Sequence, residues 1–514
     1  MVVSRTQRLT LVATILGSTV VFLDATVVNV ALPAIGDDLG AGLAGQQWVL
    51  ESYMLALVAL ILVGGSLGDQ FGRRRLYLFG LVAFGISSAL CAAAPNEEFL
   101  VGARALQGIA GALLVPGSLA LVAAAFGGEE RGTAVGTWTA WTGIATVFGP
   151  AGGGALISIL SWRAIFAINL PLIAFTIYLT LRAVEESRDP DAHQGIDWIG
   201  VVLSAVGLGG PVFALIEQPT HGWGDSLVWV PLVVGVLCFV AFLLYEARAR
   251  HPMLDLTLFR IRNFAVANVT TLAVYAGLSG GMLFVTLYLQ QVAGYSALEA
   301  GLATTPISIL LFVLSPRFGR LASGVGPRLP MTVGPLTAGA GMLLFLRVGS
   351  GASYLTDVLP AVIVFGLGLS AVVAPLTATV LDSVPERRVG IASGINNGVS
   401  RVAGLLAIAV LGAVISAQFG ATLDSKLGDS ANFSPATEKT IAEAKEQPLA
   451  VPDTDELGPG EAPQVRAAAT EAATSAFHLG AVLAALLAIA GGIASAIGIE
   501  NPRRSRQELD LAAE

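Results

Sequence analysis

Three ionisable side chains stand inside apolar stretches that are long enough to cross a membrane. They are Asp24, Glu51 and Arg104, each in a different stretch. A charged group in the hydrocarbon of a bilayer costs about 3 kcal/mol or more unless it is paired or hydrated, so such residues usually lie on a path for ions or substrates. At a rise of ~1.5 Å per helical residue, all three fall in the same half of the bilayer. They could therefore share one cavity.

The combination of Asp24 with Arg104 favours proton transfer. Burial favours the protonated form of a carboxyl group, whereas a nearby guanidinium favours the ionised form. Competition between the two lets a proton be loaded from one side of a membrane and released to the other. The alternative is a buried ion pair that only fixes helix packing, although such a pair has little advantage over apolar residues. We predict that Asp24 titrates, and the packing alternative stays open.

Two further charges have competing interpretations. Glu51 lies about one helical turn from the end of its stretch, so it either binds a cationic group or is merely hydrated. Arg401 lies near the inner end of the stretch 391–417, where a long side chain can reach the membrane surface. We predict cation binding for Glu51 and a position at the membrane surface for the Arg401 guanidinium.

A short basic segment rich in glycine occurs twice. Residues 65–75 read Gly-Ser-Leu-Gly-Asp-Gln-Phe-Gly-Arg-Arg-Arg, and residues 319–328 read Gly-Arg-Leu-Ala-Ser-Gly-Val-Gly-Pro-Arg. A shift of 254 residues places the second copy on the first, with glycine and arginine at matching positions. Both copies connect two membrane-length stretches, which is typical of a transporter built from two duplicated helix bundles.

These residues must be positioned by membrane helices. The chain has 514 residues, 54% hydrophobic and 12% charged, whereas a soluble protein carries roughly 25% charge. A spanning helix needs about 20 mostly apolar residues. The first stretch is too long for the apolar part of a cleaved signal peptide, so we expect it to be retained. Fourteen stretches qualify, at 9–33, 47–67, 76–94, 98–122, 135–159, 162–182, 196–217, 227–247, 264–291, 299–318, 330–348, 356–380, 391–417 and 476–500.

The basic residues are unequally distributed between the two sides of the membrane. With the N-terminus in the cytoplasm, 20 of the 28 Lys and Arg residues fall in cytoplasmic segments and 6 on the opposite face, while Arg104 and Arg401 lie in the membrane. Four of those 6 are in the long segment 418–475, so the short loops divide 20 to 2. This division follows the positive-inside rule. We predict that both termini lie in the cytoplasm.

Composition excludes several classes of chemistry. The two cysteines, at positions 91 and 238, lie in apolar stretches and offer neither a disulfide framework nor a metal site. The four histidines have no ligand spacing. A Walker A loop needs a lysine on the cytoplasmic side, where the predicted topology has none. We therefore predict no cofactor, no metal, no ATP hydrolysis and no nucleic-acid partner.

The fifth stretch is rich in small residues. Gly143, Gly149, Pro150, Gly152 and Gly153 all lie within it. Small residues at this density let two helices touch backbone to backbone, and proline adds a kink. We predict a close helix contact here.

The segment 418–475 is the longest gap between apolar stretches. It is polar and acidic, contains prolines, and holds the three lysines of the chain. We predict a solvated loop with one short helix before the last span, rather than a binding domain.

Together these features resemble the major facilitator superfamily, and within it the fourteen-helix drug:proton antiporters, over essentially the whole chain. Residues 65–75 match the superfamily's motif between its second and third helices. Residues 23–33 resemble its helix 1 motif, and residues 104–108 resemble its helix 4 proton-relay motif. Residues 149–153 resemble the helix 5 motif that is found in exporters and generally lacking in symporters.

The resemblance implies an all-α membrane protein with the major facilitator fold. It would have 14 transmembrane helices, with both termini in the cytoplasm. Two six-helix bundles, at 1–188 and 251–514, would be joined by two additional transmembrane helices at 189–250. The second bundle would carry an extracytoplasmic loop at 418–475.

The resemblance also implies a function. The protein would be a monomer in a bacterial cytoplasmic membrane that exchanges protons for small amphipathic, often cationic compounds by alternating access. The nearest alternative is a dedicated exporter of one native metabolite, such as a self-made antibiotic or a lipid. A nutrient symporter and a non-transporting sensor are the remaining alternatives.

Roles for individual residues follow from the same resemblance. Asp24 would be the protonated carboxyl group and Arg104 its modulator. The gating group would be Gly65, Gly68, Asp69, Gly72, Arg73 and Arg74. The helix 5 group would be Gly143, Gly149, Pro150, Gly152 and Gly153. The candidate cargo contacts, taken from the resemblance for the first and mainly from depth and polarity for the others, are Glu51, Asn29, Tyr53, Phe148, Tyr275, Phe284, Tyr288 and Asn397.

The sequence departs from the family pattern in two places. The second copy of the gating segment has Ser323 where the first has Asp69, so a gate there lacks the carboxylate. The stretch 264–291 contains no acid, although some pumps for multiply charged drugs have one there. Divalent organic cations are therefore less well supported as cargo.

Overall fold

The computed structural model describes residues 4–126, 128–188, 197–249, 254–385, 388–428, 433–455 and 457–501, without some side chains of the second, fifth, eleventh and fourteenth helices. Over these residues the secondary structure is helical and contains no strand. The α-helices are α1 (Arg5–Leu39), α2 (Leu43–Phe71), α3 (Arg73–Ala92), α4 (Glu97–Ala125), α5 (Gly128–Ile159), α6 (Ala164–Ala167), α7 (Asn169–Ala183), α8 (Trp198–His221), α9 (Ser226–Glu246), α10 (Arg262–Gln291), α11 (Ala297–Val325), α12 (Arg328–Leu344), α13 (Leu359–Asp382), α14 (Val389–Leu427), α15 (Pro435–Glu446) and α16 (Ala462–Gly498). Short 3₁₀ turns at Leu256–Arg260 and Phe345–Arg347 and a π-turn at Tyr354–Val358 complete the described structure.

Each predicted apolar stretch coincides with a helix or, for 162–182, with the consecutive pair α6 and α7. In the described part of the chain, 12 helices are long and apolar enough to cross a membrane. The helices α2 and α5 have 29 and 32 residues, but the side chains of several of their residues are not described. Both are longer than the roughly 20 residues that a bilayer requires.

The helices pack as two groups with a pair between them. In the first group, α4 packs against α1, α2 and α3, while α7 packs against α1 and α3. In the second, α16 packs against α10, α12 and α14, while α13 packs against α11 and α12. Helices α8 and α9 pack against each other, and α8 packs against α2 of the first group and α14 of the second. We call the first and second groups the N-bundle and the C-bundle.

The bundles have two distinguishable ends. At the end where α1 begins and α16 stops, Arg262 Nε donates to the carbonyl of Gly498 at 2.9 Å. We call this the near end. At the opposite end, the far end, Gln290 Nε2 at the end of α10 donates to the carbonyl of Val30 in α1 at 3.2 Å. The far end therefore holds a hydrogen bond between the two bundles.

The two copies of the glycine-rich segment dock in the same way at the near end. In the first copy, Arg74 Nη2 donates to the carbonyl of Leu181, two residues before α7 ends, at 3.1 Å. In the second, Arg328 Nε donates to the carbonyl of Ala496, two residues before α16 ends, at 2.7 Å. The duplication read from the sequence thus has a structural counterpart.

In each copy, a side chain located just after α7 or α16 accepts a hydrogen bond from the backbone of the glycine-rich segment. The backbone N–H of Arg74 donates to Glu186 Oε1 at 3.0 Å, and that of Arg328 donates to Asn501 Oδ1 at 3.1 Å. The glycines before them, Gly72 and Gly326, have φ angles of 109° and 91°, which side-chain-bearing residues rarely adopt. A glycine is required at both turns because of this backbone conformation.

We expect Glu186→Ala to lower the stability of the N-bundle by about 1 kcal/mol, as the loss of a helix cap does. The Glu186 carboxylate accepts from the N–H groups of Arg74 and Arg75 at the start of α3, at 3.0 and 3.2 Å, where the helix dipole favours negative charge. Thermal unfolding of the detergent-purified protein measures the change. The control is Glu185→Ala, because Glu185 is an exposed neighbour. Equal shifts in both variants would contradict a capping role.

The predicted loop at 418–475 is shorter than expected. Helix α14 continues to Leu427 and α16 begins at Ala462, because both helices extend beyond the bilayer-length apolar stretch. The predicted short helix is present as α15. The rest of the described loop is not simply solvated, since Leu449 and Leu457 are buried in the main hydrophobic cluster.

Candidate functional site

Asp24 accepts hydrogen bonds from three side chains in the middle of the N-bundle. Its side chain is fully buried, and Oδ2 accepts from Arg104 Nη1. Oδ1 accepts from Gln107 Nε2 at 2.9 Å and from Asn169 Nδ2 at 3.3 Å. The donors come from α4 and α7, so three helices meet at one carboxyl group of α1. The structure brings Asp24 and Arg104 together as the sequence predicted.

A second layer of polar groups supports this network. Ser88 Oγ of α3 accepts from Gln107 Nε2 at 2.9 Å and from Asn169 Nδ2 at 3.3 Å. Gln107 Oε1 accepts from Arg104 Nη1 at 2.7 Å and from the Cys91 thiol at 3.6 Å. Cys91 is thus buried beside the network rather than in purely apolar packing. All of these groups are enclosed by protein, so each polar contact acts in a low dielectric.

Arg104 is fixed by backbone and aromatic contacts. Its Nε donates to the carbonyl of Val49 in α2 at 3.0 Å. The guanidinium lies 4.2 Å from the centre of the Tyr53 ring and 5.6 Å from that of Phe166, both within cation–π range. The guanidinium thus has contacts with α2 that do not involve the Asp24 carboxyl group.

The network pairs one positive with one negative charge, but two of its polar atoms lack a hydrogen-bond partner in the described part of the chain. Arg104 and Asp24 form one buried ion pair. Among the described residues, Arg104 Nη2 and Asn169 Oδ1 are buried without a hydrogen-bond partner. A proton on Asp24 would remove the negative charge beside Arg104, and an unpaired buried charge is costly. Protonation must therefore change the balance of interactions among α1, α4 and α7.

Sequence reasoning missed Asn169 and Ser88. Asn169 opens α7 immediately after the break at Ile168 that separates α7 from α6. The signal was a polar side chain two residues before Pro171 in an apolar stretch, which marks a helix start. Ser88 carried no such signal, because serine is common in membrane helices. Only packing shows that both face Asp24.

Glu51 does not join this network. It is fully buried, and neither carboxyl oxygen has a hydrogen-bond partner among the described residues. It lies one turn from Gln47, which donates to the carbonyl of Ile408 in α14 at 2.9 Å, and three residues from Trp48, which donates to Glu217 of α8 at 2.7 Å. These neighbours place Glu51 on the face of α2 between α8 and α14.

Glu51 and the residue that contacts Arg104 lie on different faces of α2 in this structure, and a cavity shared by Asp24, Glu51 and Arg104 stays a prediction. Side chains two positions apart on a helix point in nearly opposite directions, about 160° apart. Because the Tyr53 ring lies against the Arg104 guanidinium, the Glu51 side chain points away from it. Depth in the membrane alone could not separate the two faces of α2.

Arg401 also lies elsewhere than expected. It is twelve residues beyond the start of α14, or ~18 Å along the helix axis. Its guanidinium lies 5.9 Å from the centre of the Phe22 ring of α1. The side chain therefore reaches across to the N-bundle instead of extending to the membrane surface.

The other candidate cargo contacts lie in varied surroundings. Tyr53 is buried under Arg104, with its hydroxyl 3.3 Å from the carbonyl of Val21. Phe284 and Tyr288 are buried in the C-bundle, and Tyr288 stacks on Phe477 at 4.1 Å. Asn29 and Tyr275 are half-buried, Asn397 is exposed, and Phe148 lies outside the described side chains. These contacts stay predictions.

The glycine-rich part of α5 joins the two bundles. A Cβ at Gly149 or Gly153 would meet Thr26 or Val27 of α1, close to Asp24. On the other side, a Cβ at Gly154 would meet the backbone of Ala297 and Leu298 in α11, and Gly301 is equally close to the Pro150 carbonyl. Gly152 has free space, and Gly143 lies outside the residues whose surroundings are described.

The candidate gating residues are described only in part. Gly72, Arg73 and Arg74 form the near-end turn, where the N–H of Arg73 donates to the carbonyl of Ser187 at 3.0 Å. Gly68 closes α2 by accepting from the N–H of Gly72 at 3.0 Å. Gly65 and Asp69 lie outside the residues whose surroundings are described.

Comparison with known proteins places this arrangement in a family. The family model of the Major Facilitator Superfamily matches residues 14–408. The chain is 39% identical over 425 residues to the multidrug resistance protein Stp of Mycobacterium tuberculosis, which covers 82% of this chain and 79% of that protein. It is 34% identical to the tetracenomycin C resistance and export protein of Streptomyces glaucescens, covering 82% and 78%. It is 37% identical to the puromycin resistance protein of Streptomyces alboniger, covering 79% and 81%.

Solved structures share the fold. A bacterial homologue of the human lysosomal transporter Spinster, in an inward-facing and unoccupied conformation, superimposes with a TM-score of 0.66 at 18% identity, covering 96% of this chain and 97% of that one. A peptide transporter of the POT family gives 0.64 at 14% identity, covering 98% and 99%. The family model and the relatives confirm the resemblance to the major facilitator superfamily and to its multidrug and antibiotic resistance proteins. The chain is a multi-pass bacterial membrane transporter that belongs to the Major Facilitator Superfamily.

Proposed function

We propose that this transporter is a proton-coupled antiporter that exports amphipathic, often cationic organic compounds. The observation that carries the proposal is the buried Asp24 carboxyl group, held by Arg104, Gln107 and Asn169 at the junction of three helices. A group so placed can bind a proton only by altering the contacts between those helices. Three relatives are named as multidrug, tetracenomycin C and puromycin resistance proteins, which supports export of organic molecules.

Proton movement and cargo transport would be coupled because a proton and the Arg104 guanidinium compete for the Asp24 carboxylate. With Asp24 ionised, the ion pair ties α1 to α4. With Asp24 protonated, that tie weakens and Arg104 keeps its contacts with Val49 and Tyr53. For an uncharged cargo one proton suffices for a ten- to hundredfold gradient, and for a singly charged cation two are needed, because each net charge moving down the membrane potential supplies ~2.3 kcal/mol per 100 mV.

The proposal includes the membrane topology. We place 14 spans with both termini in the cytoplasm, so that the near end with its arginine-rich turns faces the cytoplasm. Residues 1–188 and 251–514 would rock against each other as a monomer, with 189–250 as the added pair. The far-end contacts between α5 and α11 then correspond to a conformation closed to the outside.

The flux of protons tests the proposal. Inside-out vesicles that contain the protein are acidified internally, and the pH gradient is followed with a fluorescent amine while ethidium is added. Antiport predicts that ethidium entry releases protons from the lumen and partly collapses the gradient. Vesicles without the protein serve as the control. An unchanged gradient, or proton movement in the same direction as ethidium, would refute antiport.

A further inference from the structure

An apolar pocket lies between the two bundles in the near half of the molecule. Its volume is ≈ 310 Å³, and five helices and the segment before α10 line it. From the N-bundle comes α2, from the C-bundle come α10 and α14, and the pair α8–α9 supplies the remaining wall. Representative lining residues are Val58, Leu208, Phe242, Leu272, Gly398 and Val402.

The described lining is almost entirely apolar. Among the described side chains, the polar ones that line the pocket are Ser204 and Asn268, and both already hydrogen-bond to protein. The Ser204 hydroxyl donates to the carbonyl of Val201 at 3.0 Å. Asn268 Nδ2 donates to the carbonyl of Phe264 at 2.9 Å, and its Oδ1 accepts from Asn396 at 3.1 Å. The pocket therefore suits a hydrocarbon group and disfavours a charged one.

The pocket is open space rather than a packing defect. Val269 and Leu272 remain 53% and 43% exposed on α10. A Cβ at Gly398 on the opposing α14 would have no atom within 4 Å. At roughly 30 Å³ per methylene-sized group, this volume equals that of about ten such groups. That size fits an alkyl chain or a small fused-ring system.

The walls belong to parts that move relative to each other during alternating access. The pocket is bounded by α2 on one side and by α10 and α14 on the other, so its width depends on the separation of the bundles at the near end. A ligand that occupies it must bind one conformation better than the other. Binding of that kind is what a transported molecule requires, whereas a permanently bound lipid would oppose the change.

We propose that this pocket binds the apolar part of the cargo, and that α8 and α9 complete its wall. The inference rests on the proposed function and adds to it a substrate class: cations that carry one apolar group of up to about ten carbons. The charged head would remain in the space between the bundles.

Binding of a homologous series tests the pocket directly. Alkyltrimethylammonium ions with chains of 4 to 16 carbons are titrated onto the purified full-length protein in lipid nanodiscs, with empty nanodiscs as the blank. Affinity should rise up to about fourfold per added methylene and stop rising near ten carbons. In Gly398→Leu and, separately, in Leu272→Phe, the plateau should begin at a shorter chain, with a loss of at least tenfold for the ten-carbon ion.

The matched control is Gly420→Leu on the same helix. A Cβ at Gly420 also has no atom within 4 Å, and Gly420 does not line the pocket. It should retain the wild-type chain-length profile. A wild-type affinity that does not depend on chain length, as when a lipid chain already fills the pocket, would overturn the proposal. The proposal would also be overturned if the chain-length profiles of Gly398→Leu and Leu272→Phe both matched that of Gly420→Leu.

The proton-flux experiment separates this inference from the proposed function. Chain-length-dependent binding without cargo-driven proton movement would support the pocket and defeat antiport. Cargo-driven proton movement together with binding that does not depend on chain length would support antiport and defeat the pocket.

Discussion

Asp24→Asn should abolish accumulation of cargo against a gradient. The asparagine cannot take up a proton, so the ten- to hundredfold gradient of ethidium that antiport sustains should be lost, and ethidium should distribute as the membrane potential alone dictates. Energised cells that carry the variant should retain ethidium as energised cells without the transporter do. Exchange of labelled for unlabelled ethidium across equilibrated vesicles should persist, because it needs no net proton movement. This split between uphill transport and exchange is the measurement that identifies a coupling residue.

The variant should still fold. It leaves the Arg104 guanidinium beside a neutral side chain, which is the state that the proposed cycle itself visits when Asp24 is protonated. Arg104 also keeps its contacts with Val49 and Tyr53. Melting temperature and expression level check this expectation.

Asp38→Asn is the matched control on the same helix. Asp38 forms an ion pair with Arg163 at 2.5 Å, with both side chains well exposed, and such pairs contribute about 0–1 kcal/mol. Ethidium efflux should therefore be close to that of the wild type. Normal efflux in Asp24→Asn would refute the proposed role of the buried carboxyl group, and equal loss in both variants would point to folding instead.

Gly154→Val should hold the far end apart. A Cβ at this position would lie 2.7 Å from the Cα of Leu298, so α5 and α11 could not approach as closely as they do. Overpacking of this kind costs about 1–3 kcal/mol, which shifts an equilibrium between two conformations by about 5- to 150-fold. We expect efflux to fall by about tenfold or more, with the far-side-open conformation favoured.

A cysteine in α1 reports on the conformation. In a Cys238→Ser background that keeps the buried Cys91, a cysteine at position 29 should react faster with a membrane-impermeant maleimide applied from outside when Gly154 is replaced. The control is Gly152→Val, since a Cβ at Gly152 has no atom within 4 Å. If Gly154→Val and Gly152→Val have the same maleimide reaction rate and the same efflux, the α5–α11 contact does not set the equilibrium between the two conformations.

Much of the architecture could be predicted from the sequence. Each apolar stretch became a helix, because a run of about 20 apolar residues has no other stable form in a bilayer. The two glycine-rich segments were recognisable as copies, and the structure docks them alike on α7 and α16. The partnership of Asp24 with Arg104 was also predictable, since a charge within a membrane helix needs an opposite charge.

Helix ends and loops were predicted less well. Helix α14 runs ten residues beyond its predicted end at 417, and α16 begins fourteen residues before its predicted start at 476. Hydropathy marks only the part of a helix that lies in hydrocarbon. It does not report polar turns that continue the helix into water, which capping and tertiary contacts decide.

The helices, their duplication and the charged pair are readable from the residues, because each depends on local hydrophobicity or on a short motif. Tertiary packing selected which helix faces meet. It brought Asn169 and Ser88 to Asp24, turned Glu51 towards α8 and α14, and placed the added pair against an apolar pocket between the bundles. Hydropathy gives no rotation about a helix axis when every face is apolar, so these choices depend on packing between helices that are distant in sequence.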